Sequence, residues 1–146
     1  MQAKEFRIGN YILFNNFIQR ERLVIVDGKF LLPFNKTNSE INNYYQPIPL
    51  TEEWLLKFGF ENWGYGSLYS NENEKYTRYV LHNILDGTSN FEIHFIESNY
   101  GNILHTEYVI SCDEDDRINW GVELKYIHQL QNLYFALTGE ELTLNN

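Results

Sequence analysis

Three histidines and one run of carboxylates are the residues whose types could do chemistry in this chain. His82, His94 and His105 each fall in a separate strand-like stretch, and turns centred near residues 88 and 99–100 would align them across adjacent strands. Imidazoles on one sheet face at that spacing can hold zinc. The same register would set Glu92 opposite Glu107, and it would turn Phe91, Ile93 and Phe95 inward with the histidines outside. The simpler reading of such histidines is a polar strand face, and no metal or other cofactor is expected.

Asp113-Glu114-Asp115-Asp116 is the strongest local charge feature. Clustered carboxylates hold hard cations, but a calcium loop needs glycine at its sixth position, where Ile118 stands. Consecutive carboxylates also point in different directions, so the run reads as a solvated loop or as a contact for a basic partner. Cys112 immediately precedes these four acids, a setting that disfavours the thiolate a reactive cysteine needs. Nucleophile elbows, phosphate-cradling glycine loops and HExxH pairs are missing from the sequence. A protein that is not an enzyme is the expectation.

The formal net charge is −9 over 146 residues, unevenly spread. Residues 1–50 hold six Lys or Arg and four Asp or Glu, whereas residues 51–146 hold five and sixteen, giving +2 and −11. Such a field repels nucleic-acid phosphates and favours basic clefts on other proteins, including those built to hold DNA or RNA. The basic minority, Arg20, Arg22, Lys29 and Lys36, could touch an RNA backbone without reading its sequence. A single cysteine fits a reducing compartment, and no apolar run reaches the length of a membrane span, so a cytoplasmic protein is expected. Lys4, Glu5 and Arg7 break up any leader-like apolar stretch.

The positioning elements read as one α+β domain over 1–146, with antiparallel meanders, a short central helix and an amphipathic C-terminal helix packed on the sheet. The N-terminal β unit (1–50) is expected as strands at 6–14 and 17–26, then an Asp27-Gly28 hairpin into a third strand at 29–34. A helix over 51–59 follows, with Thr51 placed to cap it, Glu52 and Glu53 at its positive end, and Gly59 as its stop. Trp54, Leu55 and Phe58 share one side of it. Residues 60–74 have a loop composition in which Trp63 and Tyr65 either fold back onto the core or stand out as anchors for a partner.

A β-meander over 75–112 carries the helices, and the closing helix spans 126–138. Ile127, Leu130, Leu133, Tyr134 and Leu137 form its apolar side, His128, Gln129, Gln131 and Asn132 fill much of the other, and Gly139 stops it.

The stretches RIGNYILF at 7–14, PIPLTEEWLLKFGF at 47–60 and IHQLQNLYFALTGEEL at 127–142 resemble a family of small proteins carried by bacterial genomes, phages and prophages. The resemblance brings no catalytic residues with it. Small acidic phage proteins of this kind are similar in size and charge to anti-CRISPR inhibitors. That similarity implies a non-enzymatic, phage-derived inhibitor of a host defence nuclease, such as a type VI RNA-guided RNase, blocking a basic nucleic-acid-binding surface or guide-RNA loading. Partner contact is expected at Asp113, Glu114, Asp115, Asp116, Trp63 and Tyr65. A structural or accessory interaction module and a small metal-dependent hydrolase are the alternative readings.

Overall fold

In a computed structural model the described residues are 6–15, 21–27, 29, 44–67, 74–84, 87, 89–98, 103–111, 117–120 and 123–145. The class is α+β, with two antiparallel sheets and two helices among these residues. The chain divides into two compact units, Met1–Leu50 with Tyr126–Leu142, and Thr51–Lys125 with Thr143–Asn146. No helix among the described residues is long and apolar enough to cross a membrane.

In the first unit, β1 (Tyr11–Phe14) lies between β2 (Arg22–Ile25) and β3 (Tyr45–Gln46). Tyr11 pairs with Ile25 and Phe14 with Arg22 on one side, and Phe14 pairs with Tyr45 on the other. Alternation along β1 and β2 sends Ile12 inward to meet Phe6 and Val26, with Val24 and Tyr45 packed at the margin. Among the described residues the third strand of this sheet is Tyr45–Gln46, a pairing the sequence did not announce. Of the expected strand at 29–34 only Lys29 is described, in helical conformation, and the remainder lies outside the described residues.

The C-terminal helix, α2 (Ile127–Thr138 in chain order, after α1 at Glu52–Lys57), belongs to this unit and packs against β1. Ile127 and Leu130 are buried as their spacing requires, but so are His128 and Gln131, which the polar-face reading had placed outside. Backbone needs explain Gln131. Its Oε1 accepts the Tyr11 N–H at 2.9 Å, while its Nε2 donates to the carbonyls of Gly9 at 3.3 Å and Leu142 at 3.2 Å. A buried amide that satisfies three main-chain groups removes a desolvation cost that an apolar side chain there would incur.

The helix N-terminus is tied down in the same unit: Ile127 N–H donates to the Ile48 carbonyl at 3.0 Å, and Gln129 Oε1 accepts the Tyr126 N–H at 3.1 Å. Asn132 Oδ1 accepts from Asn10 Nδ2 at 3.0 Å, and Arg7 lies over the Phe135 ring while bonding Glu141 at 2.8 Å. Residues 7–14, 48 and 127–142 are thus joined by hydrogen bonds within this unit.

In the second unit, β4 (Glu61–Ser67), β5 (Glu74–Ile84), β6 (Ser89–Ser98), β7 (Ile103–Ser111) and β8 (Arg117–Trp120) follow one another in an antiparallel five-stranded sheet. The expected meander over 75–112 is its centre. Residues 61–67, expected as loop, form an edge strand instead, because Gly64 takes up a bulge that lets an Asn- and Gly-rich segment keep pairing with β5. Helix α1 packs next to β4, with Leu55 and Phe58 buried and Phe60 reaching the Phe91 ring at 5.9 Å between centroids.

Thr51 stands at the N-cap with extended backbone, but its carbonyl accepts from Trp54 and Leu55, and no hydroxyl cap forms. Gly59 has φ +89°, the left-handed conformation expected of it. Asn145 N–H donates to the Lys57 carbonyl at 2.8 Å, satisfying one of the carbonyls that a helix end leaves open.

Candidate functional site: one face and the β4 edge of the five-stranded sheet

The two faces of this sheet differ in kind. On one, Phe91, Ile93 and Phe95 of β6 are buried, with Tyr79 of β5 edge-on to Phe95 at 5.5 Å between centroids. On the other, Tyr76, Arg78, Val80 and His82 of β5 lie beside Ile96, His94, Glu92 and Asn90 of β6, and Val80 and Ile96 are buried there too. This second face differs in carrying Arg78, Glu92, Glu61 and two imidazoles among its apolar residues.

Glu92 and His94 are its buried pair, 3 % and 6 % exposed. His94 Nε2 lies 2.9 Å from Glu92 Oε2, at hydrogen-bond distance. The imidazole stacks on Tyr76 at 4.8 Å between centroids, and Arg78 Nη1 approaches Glu92 Oε2 at 3.9 Å. An imidazole bonded to a carboxylate has the form of a proton-transfer pair, yet enclosure leaves little of either group reachable by a substrate.

Toward β4, Arg78 also lies over the indole of Trp63, with Cζ 4.9 Å from the ring centroid. His82 packs against the same indole at 5.0 Å between centroids, sits 3.1 Å from Asn90 Oδ1 through Nδ1, and approaches the Glu61 carboxylate at 3.6 Å through Nε2. Trp63 is nevertheless 52 % exposed. Its position follows from the bulge: Asn62 pairs with Tyr79 and Tyr65 with Thr77, so the extra residue between them directs Trp63 toward Arg78 and His82. Gly64, at φ +80°, makes that kink, and its N–H donates to Asn62 Oδ1 at 2.7 Å.

Tyr65 is 78 % exposed and opposite Thr77, so it projects from the other face of β4 than Trp63 does. The two aromatics expected as partner anchors are both outside the core, but they flank the edge strand rather than forming one patch. On Tyr65's side, burial first, then the Glu52 carboxylate, hold the Tyr79 phenol well above the usual tyrosine range, with smaller contributions from Tyr65 and Glu97. Asn62 Nδ2 reaches Tyr79 Oη at 3.3 Å and Glu52 Oε1 at 3.4 Å.

The expected histidine row does not form. His94 is opposite Arg78 on β5 and Glu107 on β7, His105 is opposite Ile96, and His82 sits near Asn90 beyond a bulge between Leu81 and Ile84. Glu92 pairs with Val80 and Val109 instead of Glu107, which removes the like-charge opposition. Burial of Glu92 and His94 also corrects the expectation that His94 stands outside the sheet. Among the described residues no group of three or more His, Cys, Asp or Glu is placed to hold a metal.

Of the other sequence-derived candidates, Asp113, Glu114, Asp115, Asp116, Arg20 and Lys36 lie outside the described residues, while Arg22 and Lys29 are exposed in the first unit. Arg22 lies over the Phe14 ring at 4.9 Å. Glu61, Tyr76 and Arg78 belong to the site although no motif announced them. The signal available was the two-residue period Tyr76, Arg78, Val80, His82, which marks one strand face.

The charge asymmetry sharpens once it is assigned to the units. The second unit holds fourteen Asp or Glu against five Lys or Arg, net −9, and the first holds six of each, net zero. No family model, curated protein or solved structure matches the chain.

Proposed function

We propose that this protein acts by binding and not by catalysis, setting the acidic second unit against a basic surface of a partner that handles RNA. The observation that carries the reading is Trp63: a large aromatic residue, 52 % exposed, on β4, the edge strand among the described residues of the unit that bears the whole net charge. Exposed tryptophans at an accessible edge are the residues on which interfaces concentrate their binding energy. A net charge of −9 directs that edge toward cations.

An inhibitor of an RNA-guided nuclease, phage-derived and acting in the host cytoplasm, is the partner relationship that fits this chemistry, since such enzymes keep a basic channel for guide and target. The inhibitor occupies that channel or its approaches and excludes RNA. A type VI effector is the specific form proposed. Affinity purification of the tagged protein from its host, with the co-eluting RNA sequenced, tests the idea. It should recover a nuclease in a complex weakened by raising salt from about 0.05 to 0.5 M. Trp63→Ala should cut recovery about tenfold or more. Recovery of abundant housekeeping proteins alone, indifferent to salt and to the substitution, would sink it.

A further inference from the structure

Trp63 is held from β5 by two side chains, and each contact bears on what its open surface can take. Arg78 lies at cation–π distance, 4.9 Å from the ring centroid, so this indole already accepts a guanidinium within the fold. The charge of Arg78 is answered by Glu92, 3.9 Å away, and so does not turn a second cation away from the edge. His82 packs at 5.0 Å on the same indole and brings Glu61 with it, 3.6 Å from His82 Nε2. The Glu61 side chain is 69 % exposed, leaving carboxylate surface open to a further donor.

Pairing with a partner strand does not suit this edge. The bulge between Asn62 and Tyr65 interrupts the ladder, Gly64 departs from strand conformation, and its N–H is taken by Asn62. Recognition at β4 therefore goes through side chains.

We infer that Trp63 and Glu61 form a receptor for an arginine side chain of the partner. The guanidinium stacks on the open part of the indole and donates to the Glu61 carboxylate. A guanidinium suits this pair better than an ammonium because it is flat, weakly hydrated and able to stack and donate at once. The surrounding unit, at net −9, supplies the long-range attraction. The inference rests on the binding reading above and names the chemistry it uses.

Anisotropy of two dye-labelled peptides at low salt tests it, one with three arginines spaced by glycines and the other with lysines at the same positions. The arginine peptide should bind about three- to fivefold more tightly to the full chain. Trp63→Leu should bring the two peptides to parity, Glu61→Gln should weaken the arginine peptide more than the lysine one, and Tyr65→Leu, on the opposite face, should leave the preference intact. Equal binding of both peptides by the wild-type chain overturns the receptor while leaving a basic partner in place. A preference that survives Trp63→Leu also overturns it. If neither peptide binds a chain whose circular dichroism shows it folded, both the receptor and the basic-partner reading fall.

Discussion

Gln131 accepts the backbone N–H of Tyr11 at 2.9 Å, a bond that spans 120 residues of sequence and fixes the C-terminal helix to the first strand. The same amide donates to the Gly9 and Leu142 carbonyls, so one side chain, 1 % exposed, answers three main-chain groups. Gln131→Leu keeps the approximate volume and strands all three. Urea unfolding should show a loss of about 3 kcal/mol, well beyond that of a surface substitution. Gln131→Glu retains the acceptor and loses the donor, and it buries a charge as well, so it should not rescue the loss.

Gly59 closes the short helix at φ +89°, and a β-carbon there would collide with the Asn145 side chain. Gly87 has a similar φ, +76°, with nothing within 4 Å of an added β-carbon. Gly87→Ala should therefore cost about 1 kcal/mol, the conformational term alone. Gly59→Ala should cost roughly 1 kcal/mol more, since the Asn145 side chain must give way. Both variants report on the same unit, so their urea midpoints compare directly. Equal losses would show that the Asn145 side chain moves aside at no cost.

Gly59 and Gly139 stand just after apolar periodic segments, and φ of +89° and +75° places both in the stop conformation read from the sequence. The central strands were legible for the same local reason, alternating β-branched and aromatic residues between turns. The first unit's third strand was not, because Tyr45 and Gln46 reach β1 across a long chain excursion and make only a two-residue strand. Strand β4 was hidden by ENWGYGS, whose glycines and asparagine read as loop until a bulge accommodates them. The histidine row failed on register: Ile84 pairs with Ser89 and Glu97 with Ile103, so the chain reverses away from the expected centres, and bulges between Leu81 and Ile84 and between Ile96 and Glu97 add a further residue of slip each. Gln131 read as polar surface because its partners lie 120 and 122 residues away.

Tyr79 gives the fold an alkaline limit. Burial, with the Glu52 carboxylate against it, raises the phenol above the usual tyrosine range, so the folded state keeps the proton longer than the unfolded chain does. The unfolded chain then binds fewer protons between its own pKa, about 10, and the higher folded one, and stability falls across that window as pH rises. Below pH 10 the contribution is fully present. Denaturation midpoints should drop steeply above about pH 10 in the wild-type chain, by up to ~1.4 kcal/mol per pH unit from this group. Tyr79→Phe should flatten that limb and leave neutral-pH behaviour lower only by the lost hydroxyl contacts with Asn62 and Glu52. An unchanged alkaline slope would remove Tyr79 as its cause.

Glu92 separates a buried charge from a surface one. Its carboxylate, in a side chain 5 % exposed, lies 2.9 Å from His94 and 3.9 Å from Arg78, and Glu92→Leu leaves both without that counter-ion on an enclosed sheet face. Removing one partner of a buried ionic set is far costlier than the set's net worth, so a loss of about 3 kcal/mol is expected. Lys57 and Glu53 form an exposed pair at 2.6 Å on the short helix, where solvent screens the charges, and Glu53→Gln should change stability by no more than ~0.5 kcal/mol. His94→Phe in the Glu92→Leu background should recover part of the loss, because it replaces the imidazole on Tyr76 with an apolar ring that needs no acceptor. A double variant no better than the single one would place the cost on Arg78 instead.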